Sequence, residues 1–337
     1  MDPTLVRFDS INLGNLIVIV NSNSSASKES PLVSVCIGTF NREDYIRECL
    51  DSVFAQTYEN YEVVIADNAS TDRTVEIAES YGSRVRVIRR SENSGTCSTT
   101  RNEAVRNARG DYVAFLDSDD SWLPDKLLKQ VAFMGKFPDV PLCHAYAEVI
   151  DENSVSQGIR HEGAIPTTGR IIDDLLEHCF ITISSVMIRR ALYVEIGPFR
   201  EDPPYGQSGE DYDFFMRVAG RYPIGFIPEV LIRYRKSSAG ITHGNWQATP
   251  KPLVFLREVA RAPDAAYPGI SRRMRKAAFV NACRINSDYW LGQGDPGKAR
   301  WAAAQGWKSQ PAHPILAGLY MKSILLELIK IRDVARM

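Results

Sequence analysis

Two short acidic clusters carry the clearest chemistry in this chain. The first, Asp117-Ser118-Asp119-Asp120, follows the apolar and aromatic run Tyr112-Val113-Ala114-Phe115-Leu116. Carboxylates packed this closely repel one another and call for compensation by water, an arginine or a divalent cation. Hard cations such as Mg²⁺ and Mn²⁺ take oxygen ligands, often only one or two carboxylates plus substrate phosphates. An Asp-x-Asp at a strand end suits that use. A solvated turn capping the next helix, with Pro124 near its first turn, accounts for the same residues. The second cluster, Gly209-Glu210-Asp211-Tyr212-Asp213, opens a helical pattern. A helix N-terminus stabilises carboxylates, which alone explains the acids; the functional reading is a general base at a site mouth.

Other acidic-motif chemistries fail on particular residues. An EF-hand loop starting at Asp117 requires Gly at its sixth position and Glu at its twelfth, where Trp122 and Leu128 stand. The nucleophilic Asp of a dehalogenase-type phosphatase is usually followed by Asp-x-Thr or Asp-x-Val near the domain start, whereas here Ser121 takes that position and three strands come first. The chain has neither a Gly-x-Gly-x-x-Gly after its first strand nor a Gly-x-x-x-x-Gly-Lys-Ser/Thr loop, so nicotinamide enzymes and P-loop ATPases are demoted. Cys36, Cys49, Cys97, Cys143, Cys179 and Cys283 form no Cys-x-x-Cys pair and lie scattered in hydrophobic settings. They read as reduced core thiols of a cytoplasmic protein, not as a zinc site.

The elements that must position these acids alternate. A β-branched run at 33–39 is a buried strand, and apolar residues at helical spacing follow over 43–55. A strand at 62–66 runs into Asp67-Asn68-Ala69-Ser70-Thr71-Asp72 and a helix around 72–81. A strand at 85–89, a helix to about residue 108 and a strand at 111–116 complete the series. The alternation predicts an α/β fold, a mostly parallel sheet with helices on both faces. Ligands bind such sheets beyond the carboxyl ends of the strands, where Thr39, Asp67 and Asp117 stand. Residues 181–190 read as a further strand, and the chain turns helical beyond residue 250.

The totals agree with a globular protein: 337 residues, 44% hydrophobic and 24% charged. Forty basic residues against 41 acidic ones give a net charge of -1, which removes the electrostatic case for a nucleic-acid binder. Residues 1–30, with a polar Asn/Ser tract at their end, read as an appendage or linker. The apolar run at 16–20 is too short to span a membrane.

Taken in order, the segments resemble a family 2 glycosyltransferase of the GT-A type. They are Val33-Ser34-Val35-Cys36-Ile37-Gly38-Thr39-Phe40-Asn41-Arg42, Ser52-Val53-Phe54-Ala55-Gln56-Thr57-Tyr58, Asp67-Asn68-Ala69-Ser70-Thr71-Asp72, Arg101-Asn102-Glu103-Ala104, Asp117-Ser118-Asp119-Asp120-Ser121-Trp122-Leu123-Pro124 and Glu210-Asp211. Each is weak alone; together, over about residues 31–235, they are strong. The resemblance implies transfer of a sugar from a nucleotide-sugar donor, usually a UDP-sugar, with inversion and a divalent Mn²⁺ or Mg²⁺. Carried over by position, Thr39, Asn41, Asp67, Asn68, Arg101, Asp117 and Ser118 would form the nucleotide side. Asp119 would bind the metal, with Asp120 beside it toward the acceptor, and Asp211 would be the general base with Glu210 as its neighbour. Asn68 stands where many relatives carry a second Asp. His243 would complete the metal site or is an ordinary loop histidine. Trp122 would wall the acceptor pocket or anchor the turn by burial.

This division places a catalytic domain at 31–249, with a nucleotide-binding half at 31–120 and an acceptor half at 121–249, before a helical region at 250–337. The acceptor would be a saccharide, a lipid-linked sugar or a protein. Arg272, Arg273, Arg275 and Lys276 form a basic cluster, and the amphipathic C-terminal helix either packs or touches the inner face of a membrane. Two rival functions remain. A nucleotidyltransferase making sugar nucleotides would carry a Gly-rich basic loop where Thr39-Phe40-Asn41-Arg42-Glu43-Asp44 stands. A silent nucleotide-sugar binding protein would have no need of both Asp119 and Asp211.

Overall fold

A computed structural model of the chain describes residues 30–163, 168–202, 209–236 and 250–334. The N-terminal half alternates as its sequence predicts: β1 (Val33–Thr39), α1 (Ile46–Phe54), β2 (Tyr61–Asp67), α2 (Thr74–Glu79), β3 (Val85–Arg89), α3 (Cys97–Arg106) and β4 (Tyr112–Asp117). Then come β5 (Ser121–Trp122), α4 (Lys126–Lys136), β6 (Leu142–Ile150), β7 (Ser156–Ile159), α5 (Ile172–Glu177), β8 (Met187–Arg189), α6 (Arg190–Ile196), α7 (Glu210–Ala219) and β9 (Ile224–Arg235). Four helices follow, α8 (Pro250–Arg261), α9 (Arg272–Gly292), α10 (Pro296–Ser309) and α11 (Pro314–Val334).

The strands join one sheet in the order β3-β2-β1-β4-β8-β6-β9-β5, with β7 also on β6. β1 runs parallel to β2 and β4, and β2 to β3, whereas β8 lies antiparallel between β4 and β6. The fold is therefore mixed α/β with a mostly parallel sheet, and the antiparallel strands are confined to its second half.

Side-chain alternation divides the core. Val33, Val35 and Ile37 of β1 pack with Val63, Ile65, Ala114 and Leu116 under α1, α2 and α4. Cys36, Val64, Ala66, Val113 and Phe115 face the other way, toward α3, α5, α6 and α7. α1 buries Ile46, Cys49, Leu50 and Val53, the three- and four-residue spacing of one helical face. The helices after residue 250 belong to this second core: Phe255, Val259, Phe279, Cys283 and Leu316 join the apolar cluster that holds Phe214 and Leu175.

One element differs from expectation. The run 181–190 is not a continuous strand; Ile183–Ser185 forms a 3-10 turn and only Met187–Arg189 pairs. Ser185 N–H bonds to the Thr182 carbonyl, and its hydroxyl donates to the same oxygen at 2.7 Å. Serine side chains that bond nearby backbone compete with strand pairing in this way.

Candidate functional site

Parallel register sets the ends of β1, β2 and β4 side by side. Thr39 pairs with Asp67, and Gly38 lies opposite both Ala66 and Asp117. The N-terminus of α3 presses on this edge, and a Cβ on Gly38 would come within 2.6 Å of Thr100 Oγ1. A side chain at position 38 would therefore push α3, and Arg101 with it, off the strand ends.

The loops above the strands interlock. Asn41, at φ 48°, accepts from Thr71 N–H at 2.9 Å, and its own N–H donates to Ser70 Oγ at 2.9 Å. Ala69 is also left-handed at φ 64°, a conformation costly for a side chain without a local polar group. Asp67 is buried and accepts from both Ser70 N–H (3.0 Å) and Ser70 Oγ (2.5 Å). Asn68 donates its amide to Asn93 Oδ1 at 3.0 Å and accepts from Ser94 N–H and Oγ. An ionised Asp has no donor for that first bond, which gives Asn68 a local reason. The buried hydroxyl of Thr39 has no partner among the described residues. Beside Asp67 opens a shallow cavity of about 630 Å³, lined by Ser70, Asp72, Glu76, Arg89 and Arg90.

The acidic turn is held from three sides. Asp117 accepts from Arg101 Nη2 at 2.6 Å, while Nη1 of the same guanidinium binds Glu210 at the start of α7. One buried arginine thus joins the two acidic clusters. Asp120 is buried, accepting from Ser184 Oγ at 2.6 Å and from Arg235 N–H at 2.8 Å. Ser184 Oγ also accepts from Asp117 N–H at 3.0 Å. Asp119 is partly exposed, at 22%, and lies 3.4 Å from Arg42 Nε, while Asp117 is the more exposed of the two at 31%. Arg235, itself buried, donates to the Asp119 carbonyl (2.9 Å), the Asp151 carbonyl (3.0 Å) and Glu48 (2.6 Å). Ser118 is buried in the same turn.

Burial, reinforced by Asp117 and opposed by Arg42, pushes the Asp119 carboxyl up. Burial and the neighbouring Asp119 and Asp117 push Asp120 well above the carboxylate range. Glu210 is pushed up to about 7 by burial and by Asp211, with Arg101 pulling the other way. Asp211 is raised by burial, again opposed by Arg101. It is half-buried, and its carboxylate accepts from Tyr212 N–H at 2.7 Å.

Trp122 lies inside the fold. Its indole N–H donates to the Ser184 carbonyl at 2.8 Å, and the Lys126 ammonium lies 3.8 Å above its ring. These contacts tie Trp122 to the 3-10 turn and to α4. His243 lies outside the described residues. Sequence reasoning missed Ser184, Arg235, Arg42 and Glu48. Arg235 had a signal, since Arg233 and Arg235 share one side of a strand end, whereas Ser184 was hidden in a run that read as strand.

The family model for Glycosyl transferase family 2 matches residues 34–197. An uncharacterized glycosyltransferase of Rickettsia felis is 34% identical over 238 residues, 68% of this chain and 39% of that protein, so the chain spans well under half of it. The putative teichuronic acid biosynthesis glycosyltransferase TuaG of Bacillus subtilis is 32% identical over 235 residues, 68% of this chain and 89% of TuaG. Among solved structures, S. aureus TarS 1-349 in complex with UDP aligns over 87% of this chain and 88% of its own. Its TM-score is 0.62 at 21% identity, a likeness of fold.

Proposed function

The chain belongs to glycosyl transferase family 2 and is a glycosyltransferase; from that premise we propose that it moves a sugar from a UDP-sugar to an acceptor hydroxyl with inversion. The Arg101 bridge carries this reading. A donor-side acid, Asp117, and an acid of the α7 N-terminus, Glu210, share one guanidinium, so the two clusters meet at a single buried cation. UDP as the nucleotude rests on the S. aureus neighbour, which was solved with UDP.

In this reading Thr39, Asn41, Asp67, Asn68, Arg101, Asp117 and Ser118 orient the nucleotide. Asp211 takes the proton of the acceptor hydroxyl. That oxygen forms a bond to the anomeric carbon as the bond from this carbon to the diphosphate oxygen breaks, and the electron pair leaves with UDP. One displacement inverts the centre. The barrier contribution expected of such a base is about 10²–10⁴-fold in rate.

A divalent ion fits Asp119, a partly exposed hard oxygen donor whose proton affinity is already raised by burial and by Asp117. Asp120 is committed to Ser184 and Arg235, and among the described residues no three or more His, Cys, Asp or Glu are arranged so that they could hold a metal ion together. The fit is therefore to Mn²⁺ or Mg²⁺ held by one carboxylate together with donor phosphates. When bound, such an ion neutralises charge developing on the leaving diphosphate.

The acceptor class includes saccharides. Exposed Ile315, Met321, Leu325 and Leu328 on α11 support a peripheral membrane contact of the C-terminal helices. No helix among the described residues is long and apolar enough to cross a membrane.

The test is a panel of UDP-, GDP- and dTDP-sugars scored for metal-dependent thermal stabilisation, followed by turnover of two variants. UDP-sugars with Mn²⁺ or Mg²⁺ should raise Tm. Asp119→Asn should lose the metal dependence while staying folded. Asp211→Asn should keep the nucleotide-induced shift and lose about 10²–10⁴ in turnover. No shift with any nucleotide overturns the reading, and full activity of Asp211→Asn removes the base assignment alone.

A further inference from the structure

Cationic groups that have no carboxylate partner among the described residues gather where β7, the end of β9 and the segment after α5 meet. Arg160 follows β7, and its N–H donates to the Ala147 carbonyl of β6 at 2.8 Å. Its guanidinium lies 4.6 Å over the ring of Tyr234, two residues before Lys236. Arg160 Nε donates to His161 Nε2 at 3.2 Å, so that nitrogen carries its lone pair. The His161 ring lies 5.7 Å from that of His178. Arg160, His161 and His178 are each half-buried and Lys236 is exposed. Neither Arg160 nor Lys236 forms an ion pair with a carboxylate among the described residues, whereas Arg42, Arg101 and Arg235 in the acidic turn each do. Burial first, then Arg160, His178 and Lys236, hold His161 down to about 4.

The cluster lies near Asp211: the hydroxyl of Tyr212, the next residue, donates to the Leu175 carbonyl of α5, three residues before His178. Cys179, next in the chain to His178, is pushed up by burial and by the Asp211 charge, with Arg160 opposing. Arg160 also acts on Asp211 itself, while the cations acting on Asp119 are Arg42 and Arg235.

We propose that Arg160, Lys236 and the His161–His178 pair form an anion subsite for the acceptor, which therefore carries a phosphate or a carboxylate near the hydroxyl that is glycosylated. The inference rests on the assignment of Asp211 to the acceptor side. Arginine supplies planar, paired donors suited to either anion, and His161, accepting at Nε2, has its Nδ1–H to offer as a further donor. The aromatic floor of Tyr234 keeps the guanidinium flat and in place.

The full chain, with UDP and Mn²⁺ present, is titrated calorimetrically with three oligomers: an oligo(glycerol phosphate), an oligoglucuronate and a neutral oligoglucoside. One of the two anionic oligomers should bind at least tenfold tighter than the neutral one, and which one does so separates phosphate from carboxylate. Arg160→Gln and Lys236→Gln should each weaken that oligomer at least fivefold and leave UDP affinity within twofold. Lys236 is exposed, so its variant reports even if Arg160→Gln folds poorly. Equal affinity for charged and neutral oligomers, or no binding of any of them, overturns the proposal. So does a loss of UDP affinity in the variants, which would assign these cations to the donor. Absence of UDP binding to the unmodified chain would instead overturn the donor reading, and oligomer binding remains readable without it.

Discussion

Arg101 is buried midway along α3, with Asp117 on one arm of its guanidinium and Glu210 on the other. A single buried cation that balances two acids is costly to remove, because each carboxylate is left without compensation. Arg101→Gln is expected to lose about 3–5 kcal/mol of stability and most turnover, read by urea denaturation and kcat. Arg101→Lys should recover part of the stability and little of the turnover, since an ammonium cannot hold two carboxylates in fixed planar geometry. Adding Glu210→Gln to Arg101→Gln should restore stability beyond the sum of the single effects, a coupling that a double-mutant cycle measures. Glu210 sits at about 7 with Arg101 in place, so in Arg101→Gln its proton should leave only above that pH. Arg101 was legible in the sequence as a site residue through its Arg-Asn-Glu-Ala segment. Its pairing with Glu210, which the sequence offered only as the neighbour of Asp211, was not, because Glu210 lies 109 residues downstream and only the packing of α7 brings it near.

At the scale of elements, the acidic turn depends on a 3-10 turn that sequence patterning hid. β-branched residues at 181–188 read as strand, yet Ser184 must leave the ladder to bond Asp120 and the Asp117 N–H. Ser184→Ala removes a bond to a buried carboxylate and should cost about 1.5–3 kcal/mol, with a marked loss of metal-dependent stabilisation by UDP. Ser185→Ala, which removes a neutral bond to Thr182, should cost about 1 kcal/mol and spare the UDP response. Behind the turn, α4 offers a pH test. Burial pushes Lys126 down to about 7 from its usual 10.5. Between these values the unfolded chain binds more protons than the folded one, so stability rises with pH, by at most about 1.4 kcal/mol per unit. Lys126→Met lacks this term. Its stability relative to the unaltered protein should therefore be greatest near pH 7 and should shrink toward pH 10, as read by urea denaturation at each pH. The parallel half of the sheet was legible because strand and helix periods differ sharply. The antiparallel half was not, since three-residue β8 and two-residue β5 are too short to show a period.

At the scale of the whole molecule, the helices after residue 250 bear on the site through packing. Gly209 caps α7 at φ 97°, and a Cβ there would meet the Phe255 ring at 3.3 Å. Phe255 also lies 5.1 Å from the Tyr212 ring, and the Tyr267 hydroxyl donates to Asp213 at 2.5 Å. Residues 209–213, which present Glu210 and Asp211, are thus wedged from behind by α8 and by the turn that carries Tyr267. Composition placed a helical region beyond residue 250, but not which face of the sheet it covers, since that depends on side chains distant in sequence. Shared burial predicts that the chain unfolds in one cooperative transition, with coincident fluorescence and circular dichroism curves. Phe255→Ala should cost about 3–5 kcal/mol, the range for deleting a buried aromatic ring. The same variant separates packing from chemistry. If α8 sets the position of the α7 N-terminus, kcat should fall at temperatures where the variant is still fully folded, while the UDP-induced shift in Tm is retained. Unchanged kcat under those conditions would limit α8 to stability and leave the geometry of Asp211 to α7 alone.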